Sequence, residues 1–386
     1  MVMVEKEQHL KMRMEHIRFG KEELERRRKS PVHIPAEHVA AQLKDHYHVY
    51  IVDPRLGFNQ RTFRFWINYR ALGEEMEYSG KQLGHRHTVE AVIYIHQGHG
   101  YSVIDGVKYP WEAGDLICVP VFAWHRHHNE SQEDLIYFAA TTGPFSMATG
   151  IALYEEENYP EYWVFAQKGE EAMKTLIPGG AEAPPGGKVD LDQSRWKPQG
   201  PRGNGEPTSA EIYFDQLNFA QEEEKRRRAG KVLVKARDLK FQPTPMGRVA
   251  YGVDAKLGFH VKVLGTLFAE IPPGKRSGAH RHIYEETNHI IAGEGYSIIE
   301  DQKYEWKKGD TLVIPVFAWH QHFNTGREAA RFLVHTNRPC MESTGYIHTQ
   351  QGEPAGSRQT GCAGFRAERG SSRGWHTFVE MESPLC

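Results

Sequence analysis

One long segment occurs twice in this 386-residue chain. Residues 85–129 open on His85-Arg86-His87 and close on Pro120-Val121-Phe122-Ala123-Trp124-His125-Arg126-His127-His128-Asn129. Residues 280–324 open on His280-Arg281-His282 and close on Pro315-Val316-Phe317-Ala318-Trp319-His320-Gln321-His322-Phe323-Asn324, a constant step of 195. Solenoids are built from several short repeats of roughly 20–50 residues. Two copies this long instead describe two domains in tandem.

The likeness continues upstream. Glu22–Arg28 resembles Glu222–Arg228, and Val52-Asp53-Pro54-Arg55-Leu56-Gly57-Phe58 resembles Val253-Asp254-Ala255-Lys256-Leu257-Gly258-Phe259. There the step is about 201 rather than 195, so the first copy carries roughly six extra residues before His85. The duplicated unit is a domain with its own charged helical leader.

Inside each copy the pattern is that of β-structure. Tyr101–Ile104, Asp105-Gly106 and Val107–Tyr109 form a hairpin signal, because Asp-Gly accepts the positive φ of a type I′ turn. Short strands at regular spacing predict an all-β sandwich or barrel. The expected boundaries are a charged helical arm over 1–48 and a first barrel over 49–165. A Pro/Gly-rich connector over 166–208, a leader helix plus second barrel over 209–340, and an irregular tail over 341–386 follow.

A net charge of −2 gives no global attraction to nucleic acid or to an anionic membrane. The basic runs near Arg26 and Arg226 each follow acidic residues and read as solvated helix faces. Cys118, Cys340, Cys362 and Cys386 show no CxxC spacing, and Cys118 reads as a core thiol. There is no apolar stretch of the kind a secretion signal or a membrane span needs, so the expectation is a cytoplasmic protein.

His-x-His followed about forty residues later by a third His is the pattern of a metal site. Residues i and i+2 of a strand share a face, so His85 pairs with His87, and His280 with His282. His125 and His320 then close each set. Three imidazoles suit Fe, Mn, Ni, Cu or Zn and leave positions open for a ligand. Parity separates the two copies. Glu286 faces inward with His280 and His282, and the matching residue in the first copy is Ala91. Glu90 and Glu285 have the opposite parity and should point away. The second set is therefore three His plus Glu286, and the first is three His without a carboxylate.

Gly274, His280-x-His282-x3-Glu286-x6-Gly293, then Gly309-x5-Pro315-x4-His320-x3-Asn324 together resemble both motifs of the cupin superfamily. Phe122 and Phe317 stand where the second motif usually has Gly. The chain resembles a bicupin, which implies two tandem double-stranded β-helix (jelly-roll) barrels. His85-Arg86-His87 without the glutamate, the step from His85 to Gly98, and Trp124-His125-x-His127 resemble the gentisate, salicylate and 1-hydroxy-2-naphthoate dioxygenases.

That resemblance implies Fe(II), with Mn(II) or another divalent metal as alternatives, held by His85, His87 and His125. It implies cleavage by O2 of a small aromatic acid bound through its hydroxyl and carboxylate, and a homo-oligomer with the leader helices as candidate contacts. His127, and by repetition His322, correspond to the family's additional active-site histidine. The family's carboxylate-binding arginine is Ile93 here. Arg64 and Arg70, which share parity, are the candidate replacements, and Trp124 is a further candidate substrate contact. Two other readings remain: an oxalate-decarboxylase-like Mn enzyme or lyase centred on Glu286, and a non-catalytic bicupin.

Overall fold

The computed structural model describes residues 6–44, 46, 48–70, 84–156, 208–352 and 354–355. The expected connector, apart from Thr208, and most of the expected tail lie outside the described residues. No described helix is long and apolar enough to cross a membrane.

The chain begins with helix α1 (Lys6–Lys29), strand β1 (His33–Ile34) and helix α2 (Ala36–Leu43). The first barrel follows as β2 (His48–Val52), β3 (Arg64–Arg70), β4 (His85–His87), β5 (Ala91–Gln97) and β6 (His99–Ile104). It continues through β7 (Val107–Glu112), β8 (Leu116–Val119), β9 (His125–Asn129), β10 (Leu135–Thr141), helix α3 (Gly143–Ala148) and β11 (Tyr154–Glu156).

The second half repeats this plan. Helix α4 (Ser209–Ala229) leads into β12 (Leu233–Val234), β13 (Gln242–Thr244), β14 (Gly247–Val253) and β15 (Gly265–Ile271). Then come β16 (His280–His282), β17 (Glu286–Ala292), β18 (Glu294–Ile299), β19 (Gln302–Lys307), β20 (Thr311–Ile314) and β21 (His320–Asn324). The chain closes with β22 (Ala330–Thr336), helix α5 (Arg338–Ser343) and β23 (Thr349–Gln351).

Each barrel is two antiparallel sheets. In the first, the orders are β12-β8-β5-β10-β3-β2 and β11-β4-β9-β6-β7; in the second, β1-β20-β17-β22-β15-β14-β13 and β19-β18-β21-β16-β23. The fold is all-β with a few helices, as the repeat pattern predicts. Asp105 (φ 46°) and Gly106 (φ 82°) make the expected left-handed hairpin turn between β6 and β7.

The leaders cross over. β1 precedes the first barrel but pairs with β20 of the second, His33 opposite Leu312. β12 precedes the second barrel but pairs with β8 of the first, Leu233 opposite Ile117. The anchors repeat at both places. Asp310 accepts from the Ala36 backbone N–H at 2.8 Å and lies 3.0 Å from His33. Asp115 accepts from the Ala236 N–H at 2.9 Å and from Lys235 at 2.7 Å. Arg27 of α1 pairs with Glu300 at 2.6 Å, and Arg227 of α4 pairs with Asp105 at 2.5 Å.

Alternation along β3 and β5 divides the apolar residues between two cores. Ala91, Ile93 and Ile95 face into the first barrel with Ile117, Val119, Tyr137 and Trp111. Phe65, Ile67, Val92 and Tyr94 face the other way, into a cluster shared with Val253, Phe268, Val313 and Leu333 of the second barrel. Cys118 lies in that shared core and is fully buried. Each large apolar side chain buried there contributes about 1.5–3 kcal/mol. The barrels approach so closely that a Cβ on Gly252 would stand 2.3 Å from Leu116 Cδ1.

Candidate metal centres

β4 pairs with β9 through His85 and His125, and β16 with β21 through His280 and His320. This register brings the distant third histidine beside each His-x-His pair. One donor atom from each of His85, His87 and His125 lies within 4.8 Å of the others, and the same holds for His280, His282 and His320. Glu286 joins His320 and His322 in an overlapping group.

Backbone carbonyls fix the imidazole tautomers. His87 Nδ1 faces the Val89 carbonyl at 2.8 Å, and His125 Nδ1 faces that of Ala123 at 2.8 Å. In the second barrel, His280, His282 and His320 present Nδ1 to the carbonyls of Gly278, Tyr284 and Ala318. A carbonyl only accepts, so each Nδ1 carries the proton and each Nε2 keeps its lone pair.

Those lone pairs converge. His320 Nε2 stands 3.0 Å from His280 Nε2, and His282 Nε2 is buried with no hydrogen-bond partner. Acceptors so close repel unless a cation lies between them. The donor chemistry therefore fits a divalent metal. Burial first, and neighbouring imidazoles second, lower the His87 pKa to about 3 and hold His125 well below its usual range, so both are neutral at pH 7.

The two centres differ at one inward position. In the second, Glu286 Oε2 lies 3.2 Å from His282 Nε2, and Asn288 Nδ2 donates to Glu286 Oε1 at 2.8 Å. In the first centre Ala91 replaces Glu286, and Ile93 replaces Asn288. Ile93 is part of the apolar wall. With no carboxylate to orient, that position needs no amide. Glu90 and Glu285 point out of the barrels, as parity requires, and into the contact between domains.

His127 and His322 both lie inside, on a relay the sequence did not reveal. Trp111 Nε1 donates to Ser102 Oγ at 3.0 Å, and Ser102 Oγ lies 2.7 Å from His127 Nδ1. Trp306, Ser297 and His322 repeat this at 2.8 and 2.6 Å. An indole N–H can only donate, so each serine accepts from it, and the same hydroxyl is hydrogen-bonded to the Nδ1 edge of His127 or His322. Burial lowers the His127 and His322 pKa values to about 3 and 4, so both are neutral at pH 7.

Other expected contacts stand elsewhere. Trp124 stacks on Arg86 at 4.8 Å, and Arg86 leaves β4 between the two inward histidines, so Trp124 sits on the outer face rather than over the donors. Arg86 also covers Phe122, which holds a left-handed φ of 61° where the cupin motif has Gly; Arg281 covers Phe317 (φ 64°) in the same way. Arg64 leaves β3 on the inner face, and its Nε donates to Thr141 at 3.0 Å. Arg70 ends β3 opposite Leu135, and its side chain lies outside the described residues.

Two aromatic neighbours were missed. Tyr154 of β11 stacks on His85, with ring centroids 5.3 Å apart, and is in register with His87. Tyr284 stacks on His282 at 3.7 Å. The parity count that selects Glu286 also includes Tyr284. A three-residue strand such as β11 carries no period to read.

The sequence pattern of the cupin domain matches residues 74–141 and 267–336, one match in each barrel. The chain is a bicupin. This bicupin is 23% identical over 281 residues to 5-aminosalicylate 1,2-dioxygenase of a Comamonas species, covering 71% of this chain and 67% of that protein. It shares its fold with a salicylate 1,2-dioxygenase from Pseudaminobacter salicylatoxidans, at a TM-score of 0.54, 15% identity and coverage of 83% and 87%. A deletion mutant of Bacillus subtilis oxalate decarboxylase also superposes, at a TM-score of 0.50, 14% identity and coverage of 80% and 77%.

Proposed function

We propose that this bicupin is an Fe(II)-dependent dioxygenase that opens the ring of a hydroxylated aromatic acid, and that the first barrel does the chemistry. The observation that carries this reading is Ala91 in the place of Glu286. His85, His87 and His125 are imidazoles with no carboxylate among them, so the protein supplies no negative charge to a divalent ion there. A substrate offering a phenolate and a carboxylate supplies that charge itself. When bound, iron would provide Lewis acidity and redox capacity toward O2.

The remaining roles belong to the chain. Ala91 leaves space beside the donors. Ile93, Ile95, Ile117 and Val119 form an apolar wall that suits an aromatic ring and excludes water. His127, held through Nδ1 by Ser102, is placed to hydrogen-bond an oxygen of the substrate. Tyr154 limits ring size on the side of His85. The names of the relatives support the substrate class.

The test is oxygen uptake by Fe(II)-loaded protein against hydroxybenzoates and hydroxynaphthoates, with His125→Ala and His320→Ala in parallel. The reading requires uptake that His125→Ala abolishes. Uptake lost only in His320→Ala would move the chemistry to the second barrel. A second reading has its own observation: the three-His-one-Glu set, with Asn288 orienting Glu286, favours an oxalate-decarboxylase-like Mn(II) centre or a lyase there. Turnover that needs no O2 would select it.

A further inference from the structure

The inner face of β3 reads Arg64, Trp66, Asn68, and at the step of 201 the inner face of β15 reads Gly265, Leu267, Ala269. Opposite them, β10 contributes Thr141, Ala139 and Tyr137, and β22 contributes Thr336, Val334 and Phe332. Directly paired residues project to the same face of a sheet. Asn68 therefore shares the interior of the first barrel with Tyr137, its direct partner. The matching pair in the second barrel is Ala269 and Phe332, both in its apolar cluster. The first barrel thus places two polar groups where the second has none.

The pair lies along the same pocket as the metal donors. Thr141 is opposite Ala91, which matches Glu286, so that row marks the donor end. Asn68 and Tyr137 stand two inward positions further along the same strands. Phe332, which matches Tyr137 at the step of 195, has its ring 5.4 Å from His322 and 5.0 Å from Trp306. His322 lies 5.8 Å from the candidate ligand His320, and His127 lies 5.7 Å from His125. By the repeat, Tyr137 and its partner adjoin His127, the histidine next along from the donors. Trp66 meets Tyr137 edge-on at 5.8 Å.

Asn68 is only 5% exposed. Its Nδ2 donates to the Tyr137 hydroxyl, but its Oδ1 is buried with no hydrogen-bond partner. Buried amide oxygens are nearly always paired, because an unmade bond leaves the full cost of removing the group from water. Ile95, Leu135 and Ala139, on the same inner face, have no side-chain donor to offer. The inward amide of the second barrel, Asn288, is committed to Glu286. That of the first barrel keeps an unused acceptor inside the pocket.

We infer that Asn68 is a specificity-determining residue of the first barrel, whose Oδ1 accepts a hydrogen bond from a hydroxyl or amino group on the end of the bound ring remote from the metal. The ligand is then an aromatic acid with a second, donor-bearing substituent, rather than one that is apolar beyond its chelating edge. This rests on the reading that the first barrel takes an aromatic acid. The Ala269 and Phe332 end of the second barrel offers no such acceptor.

Calorimetric titration of metal-loaded protein without oxygen tests this, because it needs no turnover. The probes are 2,4-dihydroxybenzoate, 2,5-dihydroxybenzoate and 5-amino-2-hydroxybenzoate, each against the 2-hydroxybenzoate that carries methyl at the same position. Methyl matches the donor group in size and cannot donate. At least one donor-bearing acid should bind the wild type about tenfold or more tighter than its methyl partner. Asn68→Leu should bring that pair within about threefold, by weakening the donor-bearing acid and not the methyl one. Asn68→Ala, which installs the second barrel's residue, gives the same readout should Asn68→Leu not fold. A wild type that distinguishes no pair, or a preference that survives loss of Asn68, overturns the assignment. Donor-selective binding through Asn68 without oxygen consumption would sink the dioxygenase reading and keep the subsite. Oxygen consumption with equal affinity for donor and methyl acids would do the reverse. Failure of every acid to bind overturns both.

Discussion

The Glu90 carboxylate of the first barrel accepts the backbone N–H of Leu264, in the second, at 2.8 Å. The N–H groups of Lys262 and Val263 share the same carboxylate, and Glu285 returns the arrangement by accepting from Arg61 and Thr62. Each of these acids lies three residues after a His-x-His strand, so the two candidate centres are mounted on a common frame.

Removing Glu90 strands three buried donors. Glu90→Ala should lower unfolding stability by about 1–3 kcal/mol for each buried donor left unsatisfied. Glu90→Gln should cost less, because its amide oxygen still accepts. Urea unfolding of the three proteins checks this. Equal midpoints would show that the apolar core alone joins the barrels.

Ser102 serves two partners at once. Ser102→Ala leaves Trp111 Nε1 and His127 Nδ1 unsatisfied, at about 1–3 kcal/mol each. Trp111→Phe placed on top should recover part of that loss, because it removes one of the stranded donors. A double-mutant cycle in thermal unfolding measures the coupling. Turnover should fall in Ser102→Ala as His127 loses the partner that holds its ring, and strictly additive stabilities would count against the relay.

His289 and His335 are buried between the barrels among Phe65 and Phe138. Burial lowers both pKa values to about 3. The folded state therefore resists protons that the unfolded chain takes up at about pH 6.5. Their contribution is complete above pH 6.5 and is lost as pH falls toward 3, by up to about 1.4 kcal/mol per unit for each group. His335→Asn should flatten this acid limb in melting curves from pH 8 to pH 4. An unchanged limb would place acid sensitivity in other groups.

Ala91→Glu would give the first barrel the ligand set of the second. It should retain metal at least as well as wild type and lower affinity for aromatic acids at least tenfold. Metal analysis and calorimetry on the same sample check both halves. Unchanged acid binding would argue against Ala91 as the space the substrate uses.

The parts of this architecture that repeat were legible in the sequence. The shared step of 195 identifies both barrels and all six candidate ligand histidines, and strand parity separates Glu286 from Glu285 before any coordinates. Trp124, expected as a substrate contact, instead stacks outside on Arg86. The crossing of the leaders was not legible, because β1 and β12 are two residues each and carry no periodicity. Tyr154 and Ser102 were hidden for a related reason. Their positions follow from which strands pair, and pairing is decided by the whole sheet.

The crossing also has a consequence for how the two centres came to differ. A strand given by each half to the other is the geometry of a homodimer with exchanged arms, here tied into one polypeptide. In a homodimer one gene position serves both subunits, so Ala at one centre and Glu at the other, or Arg64 and Gly265, could never coexist. A single polypeptide is free of that symmetry while each half still depends on its neighbour's strand, so the two pockets can carry different residues at matching positions.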